Sequence, residues 1–175
     1  MNYKLIACIN NINALGSDNK LLFNIKNDLA NFKRMTINNV VIMGRKTYET
    51  LPFKPLPNRV NIILTRDKNF KAKNCYVVNS IEECNSLCEK LSEEYNDFYV
   101  IGGGKVYSQF LENDLVDTMY LTEVNDVSDG DTYFPSEYMD DNKWRLFYCS
   151  DTQKDMEHNL LYNFKIYKKV IIKKS

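Results

Sequence analysis

The chain has 175 residues, enough to bury a core in one domain without disulfides or a metal. Its 23 Lys+Arg balance 23 Asp+Glu, so there is no excess positive charge to draw nucleic acid or an acidic membrane surface, and any anion site must be local. No apolar run is long enough to span a bilayer, the opening Met1 to Cys8 has no signal-peptide pattern, and the Cys count of 5 is odd, so the expectation is a cytoplasmic protein with reduced thiols, a monomer by default.

The first strand is expected over Leu5 to Ile9 and the first helix over Ile25 to Met35. Helical spacing through Ile25, Asp28, Leu29, Phe32 and Met35 puts the Asp28 carboxylate in the middle of the apolar stripe, where it needs a partner or a function. The alternative is that Asp28 turns out of the stripe and supports the helix N-terminus.

A strand over Val40 to Met43 runs into Gly44-Arg45-Lys46-Thr47, which opens a short helix. Free backbone N–H groups and two cations meet there, a phosphate site in outline, although the Walker order is not met. Pro52, Pro55 and Pro57 mark a rigid loop before the strand Val60 to Leu64. That strand ends in Thr65-Arg66, where an Arg can meet an adenosine 2′-phosphate.

Cys75 to Val78 is the next strand, and Ser80-Ile81-Glu82-Glu83 is a capping box that starts a third helix with the stripe Ile81, Cys84, Leu87, Cys88 and Leu91. Cys84 and Cys88 have metal-ligand spacing, but His158 is the only His and no second Cys pair stands at zinc spacing, so they read as buried apolar residues and no metal is expected. The strand Phe98 to Ile101 leads into Gly102-Gly103-Gly104-Lys105 and a fourth helix carrying Val106, Tyr107, Phe110 and Leu111. Tyr107 stands where the Rossmann fingerprint has its last Gly, so that motif fails. Two strand-to-helix anion sites in so small a chain suit a pyrophosphate held from both ends, and a dinucleotide is the expected ligand, with Arg66 favouring NADPH over NADH. Strands over Met119 to Val124, Leu146 to Cys149 and Leu160 to Tyr167 follow, the last two pairing antiparallel across the polar segment 151 to 159. The pattern is an α/β layered fold in one domain, residues 1–172, with a tail at 173–175.

Taken together, Leu5-Ile6-Ala7, Asn27-Asp28-Leu29-Ala30-Asn31-Phe32-Lys33, Val41-Ile42-Met43-Gly44-Arg45-Lys46-Thr47, Leu56-Pro57-Asn58-Arg59, Val100-Ile101-Gly102-Gly103-Gly104-Lys105-Val106-Tyr107, Tyr120-Leu121-Thr122 and Gly130-Asp131-Thr132-Tyr133-Phe134-Pro135 resemble the dihydrofolate reductase family in order and spacing over nearly the whole chain. The resemblance implies a central mixed sheet of eight strands, mostly parallel with an antiparallel C-terminal strand and flanked by four helices. It implies NADPH-dependent reduction of dihydrofolate at a C=N bond, and antifolates as inhibitors. Asp28 would grip and polarise the pterin with Thr122 beside it and a water delivering the proton. Ile6, Ala7, Leu29, Phe32, Leu51, Ile101 and Tyr107 would complete the substrate pocket, and Arg59 would take a carboxylate of the glutamate tail. Lys46, Thr65 and Arg66 would surround the 2′-phosphate, while Ala7, Gly44, Arg45, Thr47, Gly103, Gly104, Lys105 and Val106 would hold the rest of the cofactor. Gly103 and Gly104 would be joined by a cis peptide. Residues 10–24 would form a mobile loop, with Leu22-Phe23 replacing the Pro-Trp of many bacterial members. Two alternatives stay open: a reductase of the same fold acting on a ribosylated pyrimidine, and a nucleotide-binding module without catalysis.

Overall fold

The continuously apolar strands of the sequence need cover on both faces, and the fold supplies it. The computed structural model describes residues 1–171; the tail expected at 173–175 lies outside the described residues. In chain order the elements are β1 (Tyr3–Asn10), β2 (Ala14–Ser17), β3 (Lys20–Leu21), α1 (Lys26–Thr36), β4 (Val40–Gly44), α2 (Arg45–Thr50), β5 (Val60–Leu64), β6 (Tyr76–Val78), α3 (Ile81–Leu91), β7 (Phe98–Gly102), α4 (Gly104–Glu112), β8 (Val116–Val124), β9 (Thr132–Tyr133), β10 (Trp144–Cys149), β11 (Gln153–Asp155) and β12 (Leu160–Lys169).

Eight strands form the main sheet in the order β10-β12-β8-β1-β7-β4-β5-β6, with β11 attached to β12. The strands from β8 to β6 run parallel, and the C-terminal β12 enters antiparallel between β8 and β10, as the fold class implied. Alternation along each strand divides the core. Val40 and Ile42 of β4 and Leu5 and Ala7 of β1 pack with Cys84 and Cys88 of α3 and Phe110 of α4. Val41 and Met43 face the other way, toward Phe32 and Met35 of α1 and Tyr48 of α2. The third helix starts as its capping signal requires, with the Ser80 hydroxyl accepting from Glu83 N at 3.1 Å; the returning Glu83 carboxylate accepts from Asn79 N rather than from Ser80 N.

The sequence reading missed a second, three-stranded sheet, β3-β2-β9, built from the loop 10–24 and the Gly130 to Pro135 stretch. Its strands are two to four residues long and their pairing is held across the chain by Phe134 N donating to Asn13 O at 2.7 Å. Phe134, directly after β9, packs tilted against Tyr107 with ring centroids 5.6 Å apart, so the end of this small sheet buttresses the start of α4. Phe23 is buried against Ile25, Val124 and Tyr162. The cis peptide falls one residue earlier than expected, between Gly102 and Gly103. Gly104 is already the first residue of α4, whose opening hydrogen bonds run from Val106 N and Tyr107 N to Gly103 O, so the strand-to-helix junction lies before it.

Candidate active site

The apolar stripe of α1 is only partly covered by the sheet: Phe32 and Met35 lean on the cluster of Val41 and Met43 without being fully buried, and within the helix only Thr36 is. The uncovered part of the stripe forms one wall of a cleft of about 1440 Å³. The opposite wall and floor come from β1, β7 and β8, and the mouth from the Pro52 to Pro57 loop. All ten expected substrate residues line this cleft: Ile6, Ala7, Asp28, Leu29 and Phe32 from the N-terminal part, Leu51 and Arg59 flanking the proline loop, and Ile101, Tyr107 and Thr122 from the C-terminal part. Leu29 is 40% exposed, which places it at the open side rather than in a closed pocket.

Asp28 lies in the first turn of α1, yet its carboxylate does not cap the helix: Oδ1 accepts a hydrogen bond from the Thr122 hydroxyl at 2.5 Å. Its hydrogen-bond partner is thus on β8, across the cleft, and not among the helix's own N–H groups. Burial raises the Asp28 pKa above the ordinary carboxylate range, while the donors on Thr122 and Cys8 pull in the other direction and lose. Such a carboxylate gains from a cationic or amidine-like ligand, which replaces the solvation that burial takes from its charged form. Above it the Tyr107 hydroxyl donates to Ile6 O at 2.6 Å, tying α4 to β1 across the cleft. Arg59 is half-buried, its plane fixed by Nη1 donating to Thr36 Oγ1 and Nε donating to Pro57 O, both at 3.0 Å.

Apart from Ala7 of β1, the expected cofactor residues lie at or just beyond the carboxyl ends of three adjacent parallel strands, β7, β4 and β5, where ligands of open α/β sheets bind. Met43 pairs with Gly102 and Gly44 with Leu64, so the two glycine turns and Thr65-Arg66 are neighbours. The turns touch: a Cβ on Gly44 would lie 3.0 Å from Val106 Cγ2, and one on Gly103 would lie 3.4 Å from Thr47 Oγ1. A Cβ at either place would fill the cradle, which is what close approach of a phosphate requires. Ala7 and Thr47 also line the substrate cleft and join the two regions. Lys46, Arg66 and Lys105 are exposed. Arg45 departs from expectation, since its guanidinium is already engaged by Glu49 at 2.7 Å and Asp67 at 2.8 Å; its part in an anion site is reduced to its backbone unless those exposed pairs yield.

Phe53 and Cys8 are among the cleft residues that the sequence reading passed over. Phe53 lines the mouth at 74% exposure, and nothing in the local sequence signals it. Cys8 lines the floor, on the same strand face as Ile6, and the two-residue alternation of β1 was the available signal. Among the described residues no group of three or more His, Cys, Asp and Glu is placed to hold a metal, and no helix is long and apolar enough to cross a membrane.

Comparison with known proteins yields one family. The sequence profile described as dihydrofolate reductase matches residues 2–169. A dihydrofolate reductase of Staphylococcus haemolyticus is 35% identical over 166 residues, covering 95% of both chains, and one of Bacillus subtilis strain 168 is 34% identical over 89% of this chain and 87% of the other. Among solved structures, the Enterococcus faecalis dihydrofolate reductase complexed with NADP(H) and RAB-propyl superposes with a TM-score of 0.82 at 28% identity, covering 96% of each chain.

Proposed function

The chain belongs to the dihydrofolate reductase family, and from that premise we propose that it reduces dihydrofolate to tetrahydrofolate with NADPH, as one reductase domain over residues 1–172. The observation that carries this reading is Asp28: a carboxylate hydrogen-bonded to Thr122 in an apolar cleft whose lining residues Thr47 and Ile101 adjoin two touching glycine turns. NADPH supplies the hydride. The chain supplies the rest. Gly44, Gly103, Gly104, Lys105, Val106 and Thr47 fit the pyrophosphate by backbone approach, and Lys46, Thr65 and Arg66 fit the 2′-phosphate beside it. Asp28 and Thr122 hold the pterin's amidine edge, polarise the ring and favour protonation of its C=N nitrogen by a water. Ile6, Ala7, Leu29, Phe32, Leu51, Ile101 and Tyr107 exclude bulk solvent and orient the ring against the nicotinamide.

Loss of NADPH absorbance tests the reading. It should be rapid with dihydrofolate and absent with a ribosylated pyrimidine or with no acceptor, and NADH should serve one to two decades worse, about the value of one charge-assisted bond to the 2′-phosphate. Preference for the ribosylated pyrimidine would assign the chain to the other reductase chemistry of this fold.

Arg59 is proposed to take a carboxylate of the substrate's glutamate tail. Its two anchoring bonds to Thr36 and Pro57 fix a fork that a lysine ammonium does not reproduce. Arg59→Lys should raise the Michaelis constant for dihydrofolate about tenfold, the loss of one charge-assisted bond, and leave affinity for a tail-less pterin nearly unchanged. Equal weakening of both ligands would make Arg59 a structural residue.

A further inference from the structure

Cys8 is a free thiol in the cleft that the proposed chemistry does not use. Its position follows from register. In the parallel pair of β1 and β8, Cys8 stands opposite Thr122, so the two side chains emerge side by side on the face of the sheet that α1 covers. Thr122 is the residue whose hydroxyl reaches the Asp28 carboxylate at 2.5 Å. Phe164 of β12 closes the row on the far side of Thr122, and Cys8 packs against the cluster of Phe23, Ile25, Val124 and Tyr162, so the thiol is half-buried.

We propose that Cys8 is a positioning residue for Asp28, its S–H acting as a second donor to the carboxylate beside the Thr122 hydroxyl. The inference rests on the reading of Asp28 as the pterin-binding carboxylate and adds what holds that carboxylate ready before substrate arrives. Cys8 and Thr122 stand side by side on neighbouring strands, so a bond from the thiol would join the one from the hydroxyl in fixing the rotation of a side chain that has no cationic partner among the described residues. The interaction is reciprocal: the thiol lowers the carboxyl's pKa, and burial together with the carboxylate raises the thiol's, so Cys8 stays protonated, keeps its proton to donate and is a poor nucleophile despite facing a ligand cleft. The other groups facing this spot do not replace it. Tyr107 of α4 spends its hydroxyl on Ile6 O, Tyr162 of β12 accepts from Asn27, Lys165 pairs with Glu123, and Lys26 of α1 itself pairs with Glu157.

The experiment follows the Asp28 carboxyl by carbon-13 NMR in the ligand-free protein, assigned by its disappearance in Asp28→Asn, across pH in wild type, Cys8→Ala, Cys8→Val and Cys8→Ser. Cys8→Ala removes the donor and admits water, and water alone would lower the midpoint; a rise therefore reads the donor. The midpoint should rise by roughly half to one pH unit in Cys8→Ala and Cys8→Val, the scale of one weak hydrogen bond to a charge, and return to the wild-type value or below in Cys8→Ser. The pH limb of kcat/KM for dihydrofolate should move with it, while the Michaelis constant for NADPH stays unchanged. An unmoved midpoint in Cys8→Ala, or a rise in Cys8→Ser that matches it, overturns the assignment. Midpoints that move as expected in a protein that does not turn over dihydrofolate would support the coupling and sink the proposed function instead.

Discussion

Asp28→Asn should lose at least about 100-fold in dihydrofolate turnover at neutral pH while folding at least as stably as wild type. The first half follows from charge, because an amide keeps the shape and the bond from Thr122 but not the negative charge that steadies a protonated pterin, and one misplaced electrostatic group in a transition state is worth about two to three decades. The second half follows from linkage. Burial raises the folded pKa of Asp28 above that of the unfolded chain, so the folded state holds the proton more tightly. Stability from this group is then fully present below the unfolded value of about 3.9 and is lost as pH rises through the folded value. At neutral pH the ionised carboxylate costs stability, and the amide does not. Thermal melts should show the variant's advantage at pH about 7 and its disappearance as pH falls toward about 4, where wild type is protonated too.

Gly102→Ala should cost about 2 kcal/mol of stability, on the order of 5 °C in Tm, and disturb both ligand sites. Gly102 ends β7 at φ 126°, a region in which an L side chain is strained, and its Cβ would stand 3.2 Å from the Tyr107 hydroxyl and 3.7 Å from Thr47 Oγ1. The Tyr107 hydroxyl is the atom that ties α4 to β1 over the substrate cleft, so its displacement should raise the Michaelis constant for dihydrofolate as well. Gly103 is the control. Its φ of −83° suits any residue, and a Cβ there meets only Thr47 Oγ1 at 3.4 Å. Gly103→Ala should therefore melt close to wild type and still bind NADPH several-fold more weakly, because the methyl group fills the cradle. Calorimetry with cofactor titration separates the two. If Gly103→Ala lost stability and kept NADPH affinity, the glycine turn would be a fold device and not a phosphate cradle.

The parts of the site that were legible in the sequence are those a short window specifies. Val40 to Met43 reads as a strand covered on both faces because all its residues are apolar, and the two faces receive different helices. Asp28 stands out because one polar residue interrupts a helical stripe, and Gly44 and Gly102 to Gly104 stand out because glycines follow strands. What a window does not contain was lost. Strands β2, β3 and β9 are two to four residues long and exist only because Gly16 and Gly130 let distant backbone meet, a Cβ on Gly130 lying 2.4 Å from Gly16 O. The Arg45 pair with Glu49 sits at helical spacing and was readable, but the pair with Asp67 needs β4 and β5 side by side. Cys8 was read only as one of several reduced thiols, since its relation to Asp28 appears once β8 is placed beside β1. The cis peptide, which the family resemblance put between Gly103 and Gly104, lies one residue earlier, between Gly102 and Gly103.

The central claim is that the Asp28 carboxylate serves the reaction and not the fold. The most direct test takes one preparation of Asp28→Asn and wild type and measures thermal midpoint, NADPH affinity and dihydrofolate turnover at neutral pH. The expected result is a midpoint equal to or above wild type, NADPH affinity within about twofold because the glycine turns are untouched, and turnover lower by about 100-fold or more. A variant that melts well below wild type and keeps most of its turnover would show that the carboxylate stabilises α1 and β8, and would contradict the account.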